Sequence, residues 1–339
     1  MDDLVSGEWL VIFVGDVLEP YADEIDAAYF KRMYAGRTPE QVVARLIERA
    51  QRHAAVEGAI TAGAYTAAVA ALISSGGTAS LVTLPASVVA FVTDLLFTTR
   101  LQLYLAYDIS VLYSLPVDLD DPDEVRLLLR VALGERPIEE FIYDDDEEAG
   151  DDVQRAMKTV ARHTAKVSRK ALTVTGKQLL KRALIKLTLP VASIPIASAM
   201  NYYAAGRTAR RAQRVYRDRA AARELGPKLA AAGAAEPRLL LEALWFVVDA
   251  DERVDAGEAW LIDEVAATLK ETEAGAEAVA AIRQLRQVDV DDLLHRLWKA
   301  PRDVRRGIFS AVRMAATTDR TPTRSEKGAL SRLESACMR

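Results

Sequence analysis

This chain has one cysteine, three histidines and few aromatic side chains, which make up 6% of its 339 residues. The lone thiol, Cys337, excludes an internal disulfide framework and suits a reducing compartment. His53, His163 and His295 stand far apart with no nucleophile signature nearby, and they read as surface or packing histidines. Few aromatics beside abundant alanine argue for closely packed helices, because strands favour β-branched and aromatic residues. Charge is missing locally. From Gly58 to Thr93, 36 residues pass without a charged side chain, although 27% of the whole chain is charged. Such a run must be hidden from water by protein, bilayer or partner.

Catalytic patterns are also missing. There is no Gly-x-Ser-x-Gly elbow and no His-Glu-x-x-His, and Gly176-Lys177 is followed by Gln178 where a phosphate-binding loop needs Ser or Thr. The acidic start, Met1-Asp2-Asp3, is unlike an export signal, and the apolar run from Trp9 to Val14 meets Asp16 too soon to be a signal core. These features predict a non-enzymatic cytoplasmic protein. Its length predicts two domains, each able to bury a core.

What is present reads as helix. Thr38-Pro39-Glu40-Gln41 forms a capping box with proline at the first helical position, launching Val42 to about Glu57 with Val42, Val43, Leu46 and Ile47 on its apolar face. Asp121-Pro122-Asp123-Glu124 does the same for Val125 to Leu133. Between them, two apolar segments, about Ile60–Ile73 and Leu81–Tyr113, are parted by Ser74-Ser75-Gly76-Gly77 and predict a helical hairpin. The first arm is short of the roughly 20 residues that cross a bilayer. A second uncharged stretch, Leu187 to Gly206, contains Pro190 and Pro195, expected to break its helical bonds, with Asn201 satisfying the freed backbone groups or holding a ligand. Near Leu225 the text ELGPKLAAAGAAEP reads as a linker, dividing the chain into 1–225 and 226–339.

The net charge of -5 conceals a division. Residues 143–152 are almost wholly acidic, whereas Arg155 to Arg219 holds sixteen Lys and Arg against one acid, Asp218. Lys177, Lys181, Arg182 and Lys186 lie beside leucines on an amphipathic helix, and Arg207, Arg210, Arg211 and Arg214 recur with helical spacing. Such a block binds anionic lipid headgroups, is neutralised within the molecule, or binds nucleic acid. The near absence of aromatics from Arg155 to Met200 disfavours stacking on single strands.

The last third contains a repeat of period 68: Ala243–Glu258 aligns without gaps on Ala311–Glu326, and Ile262, Val265 and Leu269 on Leu330, Leu333 and Cys337. Each copy reads helix, acidic turn, helix. Asp249, Asp251, Asp255, Glu258, Asp319 and Glu326 are candidate ligands for a hard cation, calcium or magnesium. The spacing is not that of an EF-hand, because Val254 occupies the place of the loop glycine. The alternative gives Asp251 and Asp319 to turns, and Glu258 and Glu326 to the N-termini of the helices that follow.

The first 220 or so residues resemble the EcsC family, through Gly76-Gly77 to Leu84-Pro85, Asp94, Tyr107, Tyr113 and Asp121-Pro122, then Lys177, Lys181, Pro195, Asn201, Ala212 and Tyr216. The family's usual glycines around Pro195 stand here as Ser193, Ala197 and Ser198. The C-terminal repeat resembles a TerB-like tellurite-resistance domain through Ala250-Asp251 to Gly257-Glu258, with Glu252 in place of the family glycine. The resemblances imply an all-α protein without established enzymatic activity, associated in some members with membranes and transport operons. Together with the residues they predict a peripheral membrane protein. The apolar hairpin and the Leu187–Gly206 segment would engage lipid or a membrane partner, the basic helix would read anionic headgroups, and the TerB-like module would dock proteins or respond to cations. Two alternatives stay open: a soluble scaffold in a stress-response or transport-linked complex, and a carboxylate-dependent hydrolase.

Overall fold

The computed structural model describes residues 14–74, 80–134, 194–251, 254–284, 288–317 and 322–338. Within them, the side chains of 15, 61–74, 80–94, 122, 194–197, 200 and 283–284 fall outside the description. Among the described residues every regular element is helical and no strand occurs. The chain divides into two compact units at Tyr216 and Arg217.

The first unit opens with a π-helical turn, Val14–Leu18, followed by α1 (Glu19–Glu24) and α2 (Ala27–Met33). It continues through α3 (Pro39–Ser74), α4 (Ser80–Leu112), α5 (Pro122–Leu133) and the first part of α6 (Ile194–Ala232). The capping box at the start of α3 is formed: Thr38 Oγ1 accepts from the Gln41 N–H at 3.4 Å, and Gln41 Oε1 accepts from the Thr38 N–H at 3.3 Å. Asp121 caps α5 by accepting from the Asp123 N–H at 2.9 Å. Gly134, at φ +109°, ends that helix in a backbone conformation that a Cβ disfavours.

The expected amphipathic helix and first apolar arm are one helix of 36 residues, about 54 Å long. Nothing between Glu57 and Ile60 stops it: a lone interior glycine such as Gly58 costs about 1 kcal/mol and leaves the hydrogen-bond ladder intact. α3 packs extensively on α4, as a helical hairpin requires, and the Ser75-Gly76-Gly77 part of its turn lies outside the described residues. Val42, Val43 and Leu46 from α3, Leu103 and Ile109 from α4, and Leu128 and Leu129 from α5 are buried, each contributing about 1.5–3 kcal/mol of apolar transfer. Among the described residues no helix is long and apolar enough to cross a membrane.

The second unit holds the remainder of α6, then α7 (Pro237–Val248), α8 (Ala256–Leu269), α9 (Glu273–Gln284), α10 (Val290–Lys299), α11 (Arg302–Ala316) and α12 (Arg324–Met338). The linker expected near Leu225 is helical as far as Ala232, with Pro227 inside the helix. Gly226 has a packing purpose there. A Cβ at this position would come within 2.5 Å of Glu264 Cβ on α8, so the glycine lets the two helices approach.

Burial in this unit follows the period of 68. Leu240, Leu241, Ala243 and Leu244 of α7 are buried, as are Ile308, Phe309, Ala311 and Val312 of α11. Leu261, Val265 and Leu269 of α8 match buried Ala329, Leu333 and Cys337 of α12, while Ile262 and Leu330 are both half-buried. The two halves bury the same register at these positions.

Candidate functional site

Of the basic residues singled out by sequence, Lys177, Lys181, Arg182 and Lys186 lie outside the described residues. The four arginines of α6 are within them and separate into two groups. Tyr203, Arg207, Arg210 and Arg214 are exposed, and their spacings of four, three and four residues place them within about 60° of one helix face. No acidic residue occurs in α6 before Asp218. Among the described residues no carboxylate pairs with Arg207, Arg210 or Arg214, whereas Arg217 pairs with Asp218 at 3.0 Å.

Arg211 has turned away from this face. Its guanidinium donates to the carbonyl of Val131 at 3.2 Å and to that of Arg130 at 3.5 Å, where α5 ends and the Arg130 carbonyl also accepts from the Gly134 N–H at 3.0 Å. Thr208 Oγ1 donates to the Ala132 carbonyl at 3.0 Å beside it. These two side chains fasten α5 to α6 and leave the exposed arginines to solvent.

Pro195 is the second residue of α6, where its missing N–H interrupts no helical bond. From Ile194 onward the described helix runs without interruption. Pro190 lies outside the described residues. Asn201 is buried and has an interaction partner within the chain.

The acidic repeat is occupied locally. Asp255 Oδ1 accepts from the Glu258 N–H and Glu258 Oε2 from the Asp255 N–H, both at 2.9 Å, closing a capping box on α8. One period later Thr323 Oγ1 accepts from the Glu326 N–H at 3.3 Å, and Glu326 Oε2 from the Thr323 N–H at 2.5 Å. Asp249 and Asp251 belong to a 3-10 turn after α7, and Asp319 lies outside the described residues. Among the described residues no group of three His, Cys, Asp or Glu draws close enough to hold a metal ion.

One cluster was not anticipated from sequence. The Tyr21 ring stacks on Tyr104 at 3.6 Å, its edge meets Tyr107 at 6.1 Å, and its hydroxyl donates to Asp108 Oδ1 at 2.6 Å. Tyr104 donates to the Val17 carbonyl at 3.1 Å, and Arg100 lies 4.9 Å over the Tyr104 ring. Burial pushes the Asp108 carboxyl up to about 7, while the Tyr21 hydrogen bond and the Arg49 charge draw it down. Burial, with the adjacent carboxylate, pushes the Tyr21 hydroxyl up as well. Its sequence signal is the series Arg100, Tyr104, Tyr107, Asp108, spaced to share one face of α4. The cluster ties the N-terminal turn and α1 to α4.

No protein-family model, curated protein or solved structure matches this chain. The likeness to EcsC and TerB-like proteins rests on the residues quoted above. The site itself must carry any functional reading.

Proposed function

We propose that this is a non-catalytic interaction protein that works at an anionic membrane surface, with the arginine face of α6 against lipid headgroups. The exposed, acid-free row Arg207, Arg210 and Arg214, with Tyr203 at its head, carries this reading. A guanidinium pairs with a phosphate through parallel hydrogen bonds, and tyrosine favours the interface between water and acyl chains. Each basic side chain near an anionic leaflet contributes about 1 kcal/mol. Three together supply about 3 kcal/mol, roughly a hundredfold in partitioning. The EcsC resemblance supports a membrane-associated placement, and the TerB-like resemblance supports a docking or cation-responsive role for the second unit.

Flotation with phosphatidylcholine vesicles, with and without phosphatidylglycerol, tests this. The chain should float with the anionic vesicles alone and be released by salt. Arg207→Glu, Arg210→Glu and Arg214→Glu together should abolish flotation, whereas equal absence from both vesicle types defeats the proposal. The soluble-scaffold reading, favoured by the extensive packing of α3 on α4, predicts that absence. Hydrolysis through the repeat carboxylates has less support, because Glu258 and Glu326 are committed to capping.

A further inference from the structure

Two stretches without charged side chains lie far apart in sequence, residues 58–93 and 187–206. The structure brings their borders together. Gln51 Nε2 donates to the Tyr202 carbonyl at 3.4 Å, and the same amide fills the space that a Cβ on Gly206 would take. The last charged turns of α3, ending at Glu57, therefore adjoin the turn of α6 just before its first charge, Arg207. From there α6 reaches the carboxyl end of α5 through Thr208 and Arg211.

The exposed side chains change character at the same level. On α3, Arg52 is followed at four-residue intervals by Val56 and Ile60, which are 59% and 63% exposed. On α6, Tyr202 and Tyr203, 40% and 62% exposed, precede the row of arginines. Two helices thus pass from charged to apolar exposure where they meet. These open side chains lie at the uncharged ends of the two helices, where an apolar layer spanning both ends would cover them. Arginines beside them select an anionic partner, and tyrosines select a partner with both wet and apolar layers.

We infer that Val56, Ile60, Tyr202 and Tyr203 enter the interfacial layer of an anionic bilayer, while Arg207, Arg210 and Arg214 stay at its phosphates. This depends on the headgroup contact proposed above and adds depth to it: the protein dips apolar side chains below the charges that attract it.

The test places an environment-sensitive NBD label at single introduced cysteines in a Cys337→Ala background. Ile60→Cys and Tyr203→Cys report on the dipping residues, and Glu40→Cys, at the start of α3, reports on the far end. All three sites are exposed, so labelling leaves packing undisturbed. With vesicles containing phosphatidylglycerol, labels at 60 and 203 should gain several-fold in emission, shift to the blue and be quenched by doxyl lipids. The label at 40 should stay as in water. If the chain floats with these vesicles while labels at 60 and 203 remain aqueous, the dipping is overturned and the headgroup contact stands. If it does not float, both fall.

Discussion

The Tyr21 hydroxyl and Asp108 Oδ1 lie 2.6 Å apart across 87 positions of sequence, and their hydrogen bond closes α1 onto α4. The Asp108 carboxyl has an ordinary value of 3.8 and is raised to about 7 in the folded chain, chiefly by burial. A carboxyl raised on folding favours the folded state in its protonated form. That contribution is complete below pH 3.8 and is lost as pH rises through about 7. Melting temperature should therefore fall between about pH 4 and pH 7, and Asp108→Asn should flatten that part of the profile. An unchanged slope in Asp108→Asn would show that another group titrates.

Tyr21→Phe removes one of the two influences that favour the charged carboxylate. The midpoint for Asp108 should move upward, and stability at pH 8 should drop by about 2 kcal/mol. Denaturant titrations at pH 5 and pH 8 separate the two states, with the larger loss expected at the higher pH.

Glu242 is 2% exposed and paired with Arg238 at 2.8 Å and with Arg296, which also binds Asp292. Its partners are more open, at 55% and 32%. Removing one arginine leaves the buried carboxylate with a single partner and removing both strands it, whereas removing the carboxylate leaves cations that water reaches. Arg238→Met and Arg296→Met together should cost about 3 kcal/mol, and Glu242→Met distinctly less. Equal losses in urea denaturation would mean that the burial of Glu242 does not govern the energetics.

The two capping boxes should behave alike. Asp255→Ala and Thr323→Ala each remove an N-cap acceptor and should each cost about 1 kcal/mol. Glu258→Gln and Glu326→Gln keep a side-chain oxygen for the N-cap N–H and should cost less than alanine at the same sites. Thermal unfolding of the four variants measures this.

Neighbouring residues in α6 should respond in opposite directions. Gly226→Ala forces a Cβ against Glu264 and should destabilise by about 1–3 kcal/mol. Pro227→Ala restores a helical donor and relieves the ring's clash, and should stabilise by as much as about 3 kcal/mol. If both changes destabilise, the proline is held in place by contacts of its own.

Local features were legible from sequence because their causes are local. Thr38 with Gln41, and Asp121 with Pro122, announced the starts of α3 and α5 within four residues each. The repeat was legible because the same residues recur at the same spacing, and burial follows it down to Cys337. Leu225 to Pro227 misled, because a Gly-Pro pair reads as a breaker until α8 is known to need the space beside Gly226. Arg210 and Arg211 are adjacent in sequence but about 100° apart around the helix, so one faces solvent and the other caps α5. Tyr21 with Asp108 has no local cause at all, since only the fold of α1 onto α4 brings them together.

The matched halves of the second unit raise a question of which helix goes where. α7 and α11 bury side chains of similar size at Leu240 and Ile308, Leu241 and Phe309, and Leu244 and Val312, but buried Leu239 and Trp245 correspond to Gly307 and the exposed Arg313. Glu242 adds a charge to this difference, because the corresponding residue of α11 is the exposed Ser310. With α11 in the place of α7, Arg296 would face a hydroxyl instead of a carboxylate. A buried charge and a buried indole thus give each half of a duplicated pattern its own address.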